Sequence, residues 1–553
     1  MKQAAKAVAC LLASIVTAST TSADAPAATP DSRPNIIFMM SDDHAYQAIS
    51  AYGSQLIDTP NIDQLAAEGM RFTQATVANA ICAPSRATIL TGKHSHVNGK
   101  VDNVQPFDDS QTTFPQLLQR AGYQTAMFGK LHFGNNPKGV DDFMILPGQG
   151  EYINPDFITP TGTQRLEGYV TDLITDVTIN WLDKKRDKSK PFFLAYLHKA
   201  PHRPWWPRAD KFAKYYGKKF PLPPTLMDDY EGRGTAAKTA EMRLLDHMRY
   251  SHDSKIKPQT YLGMNKVEPP IAPSSWGFDD PYTKRVTAEQ RAAYEPTLEK
   301  INRDFEENWP TMTDAEKVEW KYQRYMQDYL ATIESVDENV GRLMDYLKAQ
   351  GLDKNTVIVY TSDNGFFLGE HGWFDKRFAY RESMQVPLII RWPNAIKPGE
   401  VSDALVQNID YAPTFLQLAN QPIPEDMHGQ SLLPLLAPGA RTGTWARDAL
   451  YYHYYAYPAI HMVKRHYAIT THQYKLIHFY YDIDEWELYD LEKDPDELNN
   501  VYLNPAYAPV VKKLKQQLAT LRESYVDSPA LDKHYIEKTK DAQREEWEEV
   551  KTK

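Results

Sequence analysis

Two short apolar runs, each ending in an acidic cluster, leave this chain few folds to adopt. Residues 35–40, Asn-Ile-Ile-Phe-Met-Met, run into Ser41-Asp42-Asp43, and residues 356–361, Thr-Val-Ile-Val-Tyr-Thr, run into Ser362-Asp363-Asn364-Gly365. Continuous apolar runs of this length predict strands buried on both faces. Phe192 to Leu197 and Val386 to Arg391 read the same way, with helical patterns between them at Asn61 to Gly69, Thr113 to Ala121 and Ser335 to Gln350. Strands alternating with helices predict an α/β sandwich around a mostly parallel central sheet. In such sheets ligands gather beyond the carboxyl ends of the strands, so adjacent strands would bring Asp42, Asp43, Asp363 and Asn364 together. Either cluster alone is an ordinary cap or turn. Together they form a donor set of carboxylates and one amide, which suits Ca²⁺ or Mg²⁺ rather than zinc.

With 553 residues the chain supports a large core and a second domain. Residues 208–320 are rich in charge and helix formers and read as a helical insertion near the site, within a main domain spanning residues 24–440. Past about residue 440 the pattern changes to short aromatic strands at Ala449 to Tyr455, Tyr467 to Thr470 and Lys475 to Tyr481. A turn-rich stretch from Trp486 to Asn500 and a helix from Pro505 to Tyr525 complete a smaller α+β domain with an antiparallel sheet, residues 441–530. Residues 531–553 form a charged tail, read as a loosely held helix.

The N-terminus reads as a secretory signal. Lys2 and Lys6 precede the apolar stretch Ala7 to Ala18, and Thr21-Ser22-Ala23 offers a small-residue cleavage site, so residues 1–23 are expected to be removed. Ala7-Val8-Ala9-Cys10 is a weaker lipoprotein-like alternative, with lipid on Cys10. No later segment is long and apolar enough to span a bilayer, which points to a periplasmic or extracellular protein. Export makes the cysteine count informative: of Cys10 and Cys82 only Cys82 survives cleavage, an unpaired thiol in an oxidising compartment. Losing residues 1–23 removes two lysines and no acid, which takes the net charge from −10 to −12. That balance disfavours nucleic acid and anionic membranes as partners, so an anionic substrate would need a local basic pocket.

Cys82-Ala83-Pro84-Ser85-Arg86, followed by Ala87-Thr88-Ile89-Leu90-Thr91-Gly92-Lys93, resembles the signature of type I sulfatases of the alkaline phosphatase superfamily. The resemblance implies that a maturation enzyme oxidises Cys82 to formylglycine, whose hydrated aldehyde is the nucleophile. One hydroxyl attacks sulfur; the second collapses to the aldehyde and expels sulfate, which a plain serine could not do. It implies Ca²⁺ on Asp42, Asp43, Asp363 and Asn364, with position 82 completing the set. Gly129-Lys130-Leu131-His132 is similar to the family's Gly-Lys-x-His element, in which Lys130 holds sulfate and His132 takes the diol proton. Arg86 would orient the diol, His202 protonate the leaving alcohol, and Lys376 in Phe374-Asp375-Lys376-Arg377 complete the sulfate clamp. Cationic clamps suit a transition state with charge spread over sulfate oxygens.

The resemblance runs from Arg33-Pro34-Asn35 to about Tyr502, through Thr59-Pro60-Asn61-Ile62-Asp63 and Glu487-Leu488-Tyr489-Asp490-Leu491-Glu492-Lys493-Asp494-Pro495. His198 to Trp205, Asp228 to Arg233 and Gly369 to Trp373 look like bacterial enzymes acting on 6-sulfated N-acetylglucosamine of mucin or glycosaminoglycans. Arg203, Trp205 and His371 are candidate sugar contacts, and equally candidates for packing. Sulfatases of algal carrageenan, fucan or ulvan share the same core motifs. Phosphodiesterases and phosphonate monoester hydrolases of the superfamily commonly carry His where this chain has Asn364. A catalytically silent glycan-binding protein would not need the intact catalytic set.

Overall fold

The structure, a computed structural model, describes residues 33–257, 260–261, 285–437 and 444–552. The signal segment with Cys10, part of the 208–320 insertion and the boundary at residue 440 lie outside them. Ten strands make the central sheet: β1 (Asn35–Ser41), β2 (Met70–Phe72), β3 (Gln124–Lys130), β4 (Asp142–Leu146), β5 (Asp156–Thr159), β6 (Gly162–Arg165), β7 (Phe192–Leu197), β8 (Thr356–Ser362), β9 (Leu388–Arg391) and β10 (Glu400–Ser402). Their spatial order is β10-β2-β9-β8-β1-β7-β3-β4-β5-β6. The centre, from β8 through β1, β7 and β3 to β4, is parallel, whereas β9 runs antiparallel to β8 and the β4-β5-β6 edge is antiparallel.

The apolar runs lie at the centre because both faces are covered. Ile36, Phe38 and Met40 point into one core, and Ile37 and Met39 into the other. On β8, Val357 and Val359 alternate in the same way with Ile358 and Tyr360. Among the helices, α1 (Pro60–Ala67), α2 (Cys82–Thr91), α3 (Phe114–Arg120), α4 (Val170–Asn180) and α5 (Asp314–Ala349) divide between the faces. Phe114 and Leu118 of α3 join the first core, while Ile174 of α4 and Val336, Val340 and Leu343 of α5 join the second. Helix α5 begins well before the expected Ser335, at a Thr313–Glu316 capping box inside the insertion. The described remainder of that insertion holds short helices and the 21-residue helix Ala288–Asn308.

At the C-terminal end, β11 (Leu450–Tyr454), β12 (His466–Thr470), β13 (Tyr474–Phe479) and β14 (Glu485–Asp490) form an antiparallel meander. The fourth strand lies where the sequence read as turns. Tyr452, Tyr454 and Ile477 on one face join the main core, and Tyr451, Ile469 and Leu476 on the other pack on Leu514 and Leu518 of α6 (Ala508–Ser524). The charged tail is a helix, α7 (Pro529–Thr552), and it is not loosely held: Tyr535, Ile536, Thr539 and Gln543 are buried. Among the described residues no helix is long and apolar enough to cross a membrane.

Candidate active site

Strand register builds the first corner of the site. Ser41 of β1 pairs with Ser362 of β8, so the two chains emit their acidic residues side by side. Carboxylate oxygens of Asp42, Asp43 and Asp363 lie within 4.8 Å of one another, and all three residues are fully buried. Asp43 N–H donates to Asp363 Oδ1 at 3.1 Å, and Asn364 Nδ2 donates to Asp43 Oδ1 at 2.7 Å. Asn364 Oδ1 and Asp43 Oδ2 are buried and accept no hydrogen bond from any described residue. Orphaned oxygens beside three carboxylates fit a hard cation. Burial raises the Asp43 carboxyl despite the nearby Lys376, and burial with the charge of Asp42 pushes Asp363 up to about 7. Burial acts on Asp42 too, but Lys130, His202, Arg86 and Lys376 together hold it well below the usual carboxylate range. A bound divalent cation would relieve the repulsion and let all three ionise.

Cys82 opens helix α2 against this corner. Its Sγ donates to Asp42 Oδ1 at 3.3 Å and lies 3.6 Å from Lys376 Nζ and 4.0 Å from Lys130 Nζ. Burial, reinforced by the charge of Asp42, pushes the thiol above its ordinary value, so the unmodified side chain is a poor nucleophile. Lys130, at the end of β3, ion-pairs with Asp42 and donates to Gln149 Oε1. Lys376 ion-pairs with Asp43. Arg86, one turn along α2, is buried; its Nε donates to Asp363 Oδ2 at 2.9 Å and its NH1 to the Lys130 carbonyl. It thereby locks α2, β3 and β8 into one rigid unit.

Two histidines complete the centre. His202 Nδ1 donates to the Arg203 carbonyl at 2.6 Å, which fixes the tautomer and leaves Nε2 facing inward, 3.7 Å from Asp43 Oδ2. A ring nitrogen of His202 also lies within 4.8 Å of Cys82 Sγ and an Asp42 oxygen. His132 sits on left-handed backbone at φ 66°, with Nδ1 buried and without a hydrogen-bond partner among the described residues. Burial and then the charge of Lys130 hold both imidazoles well below their ordinary range.

A model of the sulfatase family matches residues 34–421. This chain belongs to the sulfatase family. A second model, N-sulphoglucosamine sulphohydrolase, C-terminal, matches residues 369–524 of this sulfatase. Helix α7 lies beyond both matched stretches. The N-acetylglucosamine-6-O-sulfatase of Bacteroides thetaiotaomicron is 47% identical over 516 residues, 91% of this chain and 89% of the relative. Human N-acetylglucosamine-6-sulfatase is 28% identical over 449 residues, 76% of this chain and 67% of the relative. A solved structure in complex with its substrate, D-glucosamine-2-N,6-O-disulfate, is similar at TM-score 0.83 and 47% identity, covering 90% of this chain and 99% of that one. The phosphonate monoester hydrolase of Agrobacterium radiobacter shares the fold at TM-score 0.59 and 21% identity, covering 89% and 96%.

In this sulfatase, a sulfuric ester hydrolase, the residues singled out as nucleophile, clamp and metal ligands therefore converge on one point. The three candidate sugar contacts do not behave alike. Arg203 is partly exposed and makes a bidentate pair with Asp253, both contacts 2.6 Å. Trp205 is wholly buried, its ring centroid 4.6 Å from that of Tyr325, and offers no face to a sugar. His371 is buried too, with Arg233 NH1 at 3.0 Å from its Nδ1. No motif signalled Gln149, in a glycine-flanked loop, and Lys199 lay within the His198 to Trp205 motif with no role given to it. Lys199 Nζ donates to the Gln149 carbonyl at 3.1 Å, and burial with the charge of Lys130 pushes it down to about 7.

Proposed function

We propose that this sulfatase removes the 6-O-sulfate of N-acetylglucosamine or a closely related glucosamine residue of mucin or glycosaminoglycan, using formylglycine made from Cys82 by a maturation enzyme. The observation that carries the mechanism is the placement of Cys82 Sγ between Lys130, Lys376 and Asp42, beside a carboxylate cluster with orphaned oxygens. The substrate rests on likeness to the Bacteroides thetaiotaomicron 6-O-sulfatase across nine-tenths of the chain. Oxidised to formylglycine and hydrated by one water, position 82 would supply two geminal hydroxyls, one to attack sulfur and one to expel sulfate. Bound by Asp42, Asp43, Asp363 and Asn364, Ca²⁺, or Mg²⁺ in its place, supplies positive charge beside the reacting oxygens.

The chain's own groups do the rest. Lys130 and Lys376, now paired with Asp42 and Asp43, are positioned to turn to the nonbridging oxygens of sulfate. Burial and, after it, the charge of Lys130 hold His202 low; an anion between the lysines offsets that charge, so Nε2 can carry the proton that the leaving alcohol takes. His132, with Nδ1 unpartnered, accepts the proton released when the second hydroxyl collapses. Arg86 fixes Asp363 and the end of β3 throughout. Arg203, beside His202 and oriented by Asp253, is the proposed sugar contact. The test is sulfate release from 6-sulfated N-acetylglucosamine by protein shown by mass spectrometry to carry formylglycine at position 82, with Cys82→Ala as control. Release that the control lacks is expected; no release from this sugar, with nitrophenyl sulfate still cleaved, rejects the substrate.

A further inference from the structure

Helix α7 docks on the catalytic side of the molecule. The Tyr535 hydroxyl donates to the His96 carbonyl at 2.9 Å, and Gln543 Nε2 donates to Asp102 Oδ2 at 2.9 Å. The helix also packs against the turn Ile460–Met462. That turn holds His461 on left-handed backbone at φ 72°, with Nε2 3.2 Å from Asp375 Oδ2. Asp375 pairs with Arg377, and these two flank the clamp residue Lys376. Both also sit on left-handed backbone, at φ 76° and 95°, a conformation that side-chain-bearing residues keep only where their surroundings impose it. On the opposite flank, Lys100 contributes to the positive field on His132, and Asp102 is the residue that Gln543 holds. Helix α7 thus bridges the two flanks of the catalytic centre.

One side chain of α7 lies between them. Glu546 is half-buried, within electrostatic reach of Arg377, Asp102 and Lys100, yet makes no hydrogen bond or ion pair with any described residue. Tyr454, within electrostatic reach of Glu546, and Gln543, one turn before it, have a buried OH and Oε1 with no hydrogen-bond partner among the described residues. A half-buried carboxylate on the same helix as Gln543, one turn from its bond to Asp102 and bonded to neither nearby cation among the described residues, leaves acceptor capacity free toward a ligand. Arg377 adjoins the clamp residue Lys376, so the body of a clamped sulfate ester would extend toward this flank, and a sugar presents hydroxyl donors all round its ring. We infer that Glu546 is a substrate-binding residue, accepting hydrogen bonds from hydroxyl groups of the sugar whose sulfate is held by Lys130 and Lys376, and that α7 is a wall of the sugar pocket. The inference rests on a carbohydrate substrate and not on which carbohydrate.

The experiment compares Glu546→Ala and Glu546→Gln with the parent, all full-length and carrying formylglycine, on 6-sulfated N-acetylglucosamine and on nitrophenyl sulfate. The aryl ester engages the sulfate clamp but offers no sugar hydroxyls. Losing one charge-assisted hydrogen bond raises KM for the sugar about tenfold in Glu546→Ala, with kcat and nitrophenyl sulfate hydrolysis changed less than about twofold. Glu546→Gln, which keeps one acceptor oxygen, falls between the two. A sugar KM unchanged in Glu546→Ala, or parallel losses on both substrates, overturns the assignment. If the parent leaves 6-sulfated N-acetylglucosamine intact, the substrate reading fails instead, and the same comparison is made on the sulfated sugar that it does hydrolyse.

Discussion

Replacing Lys376 with alanine separates its part in catalysis from its part in the fold. Lys376 Nζ lies 3.6 Å from Cys82 Sγ and ion-pairs with Asp43, both side chains being almost fully buried. Removing one preorganised group that stabilises transition-state charge costs about a hundred- to a thousandfold in kcat, about 2.7–4 kcal/mol of barrier. Removing one partner of a buried ion pair costs about 3–5 kcal/mol of stability, because the other charge is left uncompensated. Here the second cost is conditional: a cation bound between Asp43, Asp42 and Asp363 compensates the stranded carboxylate. Lys376→Ala is therefore expected to melt near the parent temperature in excess Ca²⁺ and clearly below the parent when both are chelated. The assays are steady-state kinetics on nitrophenyl sulfate and thermal denaturation with and without chelator. A variant that keeps more than about a tenth of parental kcat refutes the clamp role. A melting difference that ignores Ca²⁺ refutes the shared-carboxylate account.

Three further outcomes follow from the same geometry. His202→Gln should lower kcat on a sugar sulfate about a hundredfold or more and on nitrophenyl sulfate far less, because only the sugar alcohol needs protonation to leave; steady-state rates on the two esters check this. In the chelated protein, Asp363 has its carboxyl raised to about 7 from an ordinary value of 3.8, so the folded state binds more protons than the unfolded state between those values. Stability without cation should then fall as pH rises from about 4 to about 7, and added Ca²⁺ should remove the slope, which denaturant titrations at several pH values measure. Gly129→Ala should destabilise the fold by several kcal/mol, since φ is +109° and a Cβ there would overlap the Leu197 carbonyl oxygen of the neighbouring strand; chemical denaturation reads the loss.

Much of the centre was legible because its residues follow strands that the sequence displays openly. The runs at 35–40 and 356–361 are apolar throughout, so strand type and burial followed, and adjacency placed Asp42, Asp43, Asp363 and Asn364 together. Other parts were hidden by ordinary chemistry in unusual settings. Strand β14 reads as a turn because it contains Glu485, Glu487 and Asp490, yet Glu487 is fully buried, accepting from Gly234 N–H and the Tyr380 and Tyr489 hydroxyls. The first half of α5 is masked by its charges, although Tyr322, Tyr325 and Tyr329 on it are buried. Trp205 reads equally as a sugar contact and as packing from sequence, and only tertiary structure shows it wholly buried against Tyr325. The left-handed backbone at Asp375, Arg377 and His461 leaves no trace in residue type, since none is glycine, and those positions come together only through tertiary packing.

The central claim is that position 82 carries the nucleophile and needs two hydroxyls to turn over. Cys82→Ser keeps one hydroxyl at that point, within reach of the same Lys130, Lys376 and Asp42. Incubated with substrate, this variant is expected to release one alcohol per enzyme and stop, with peptide mass spectrometry finding the mass of one SO₃ group added to the introduced serine. Sustained turnover by the serine variant, or sulfate found on any other residue, would contradict the account.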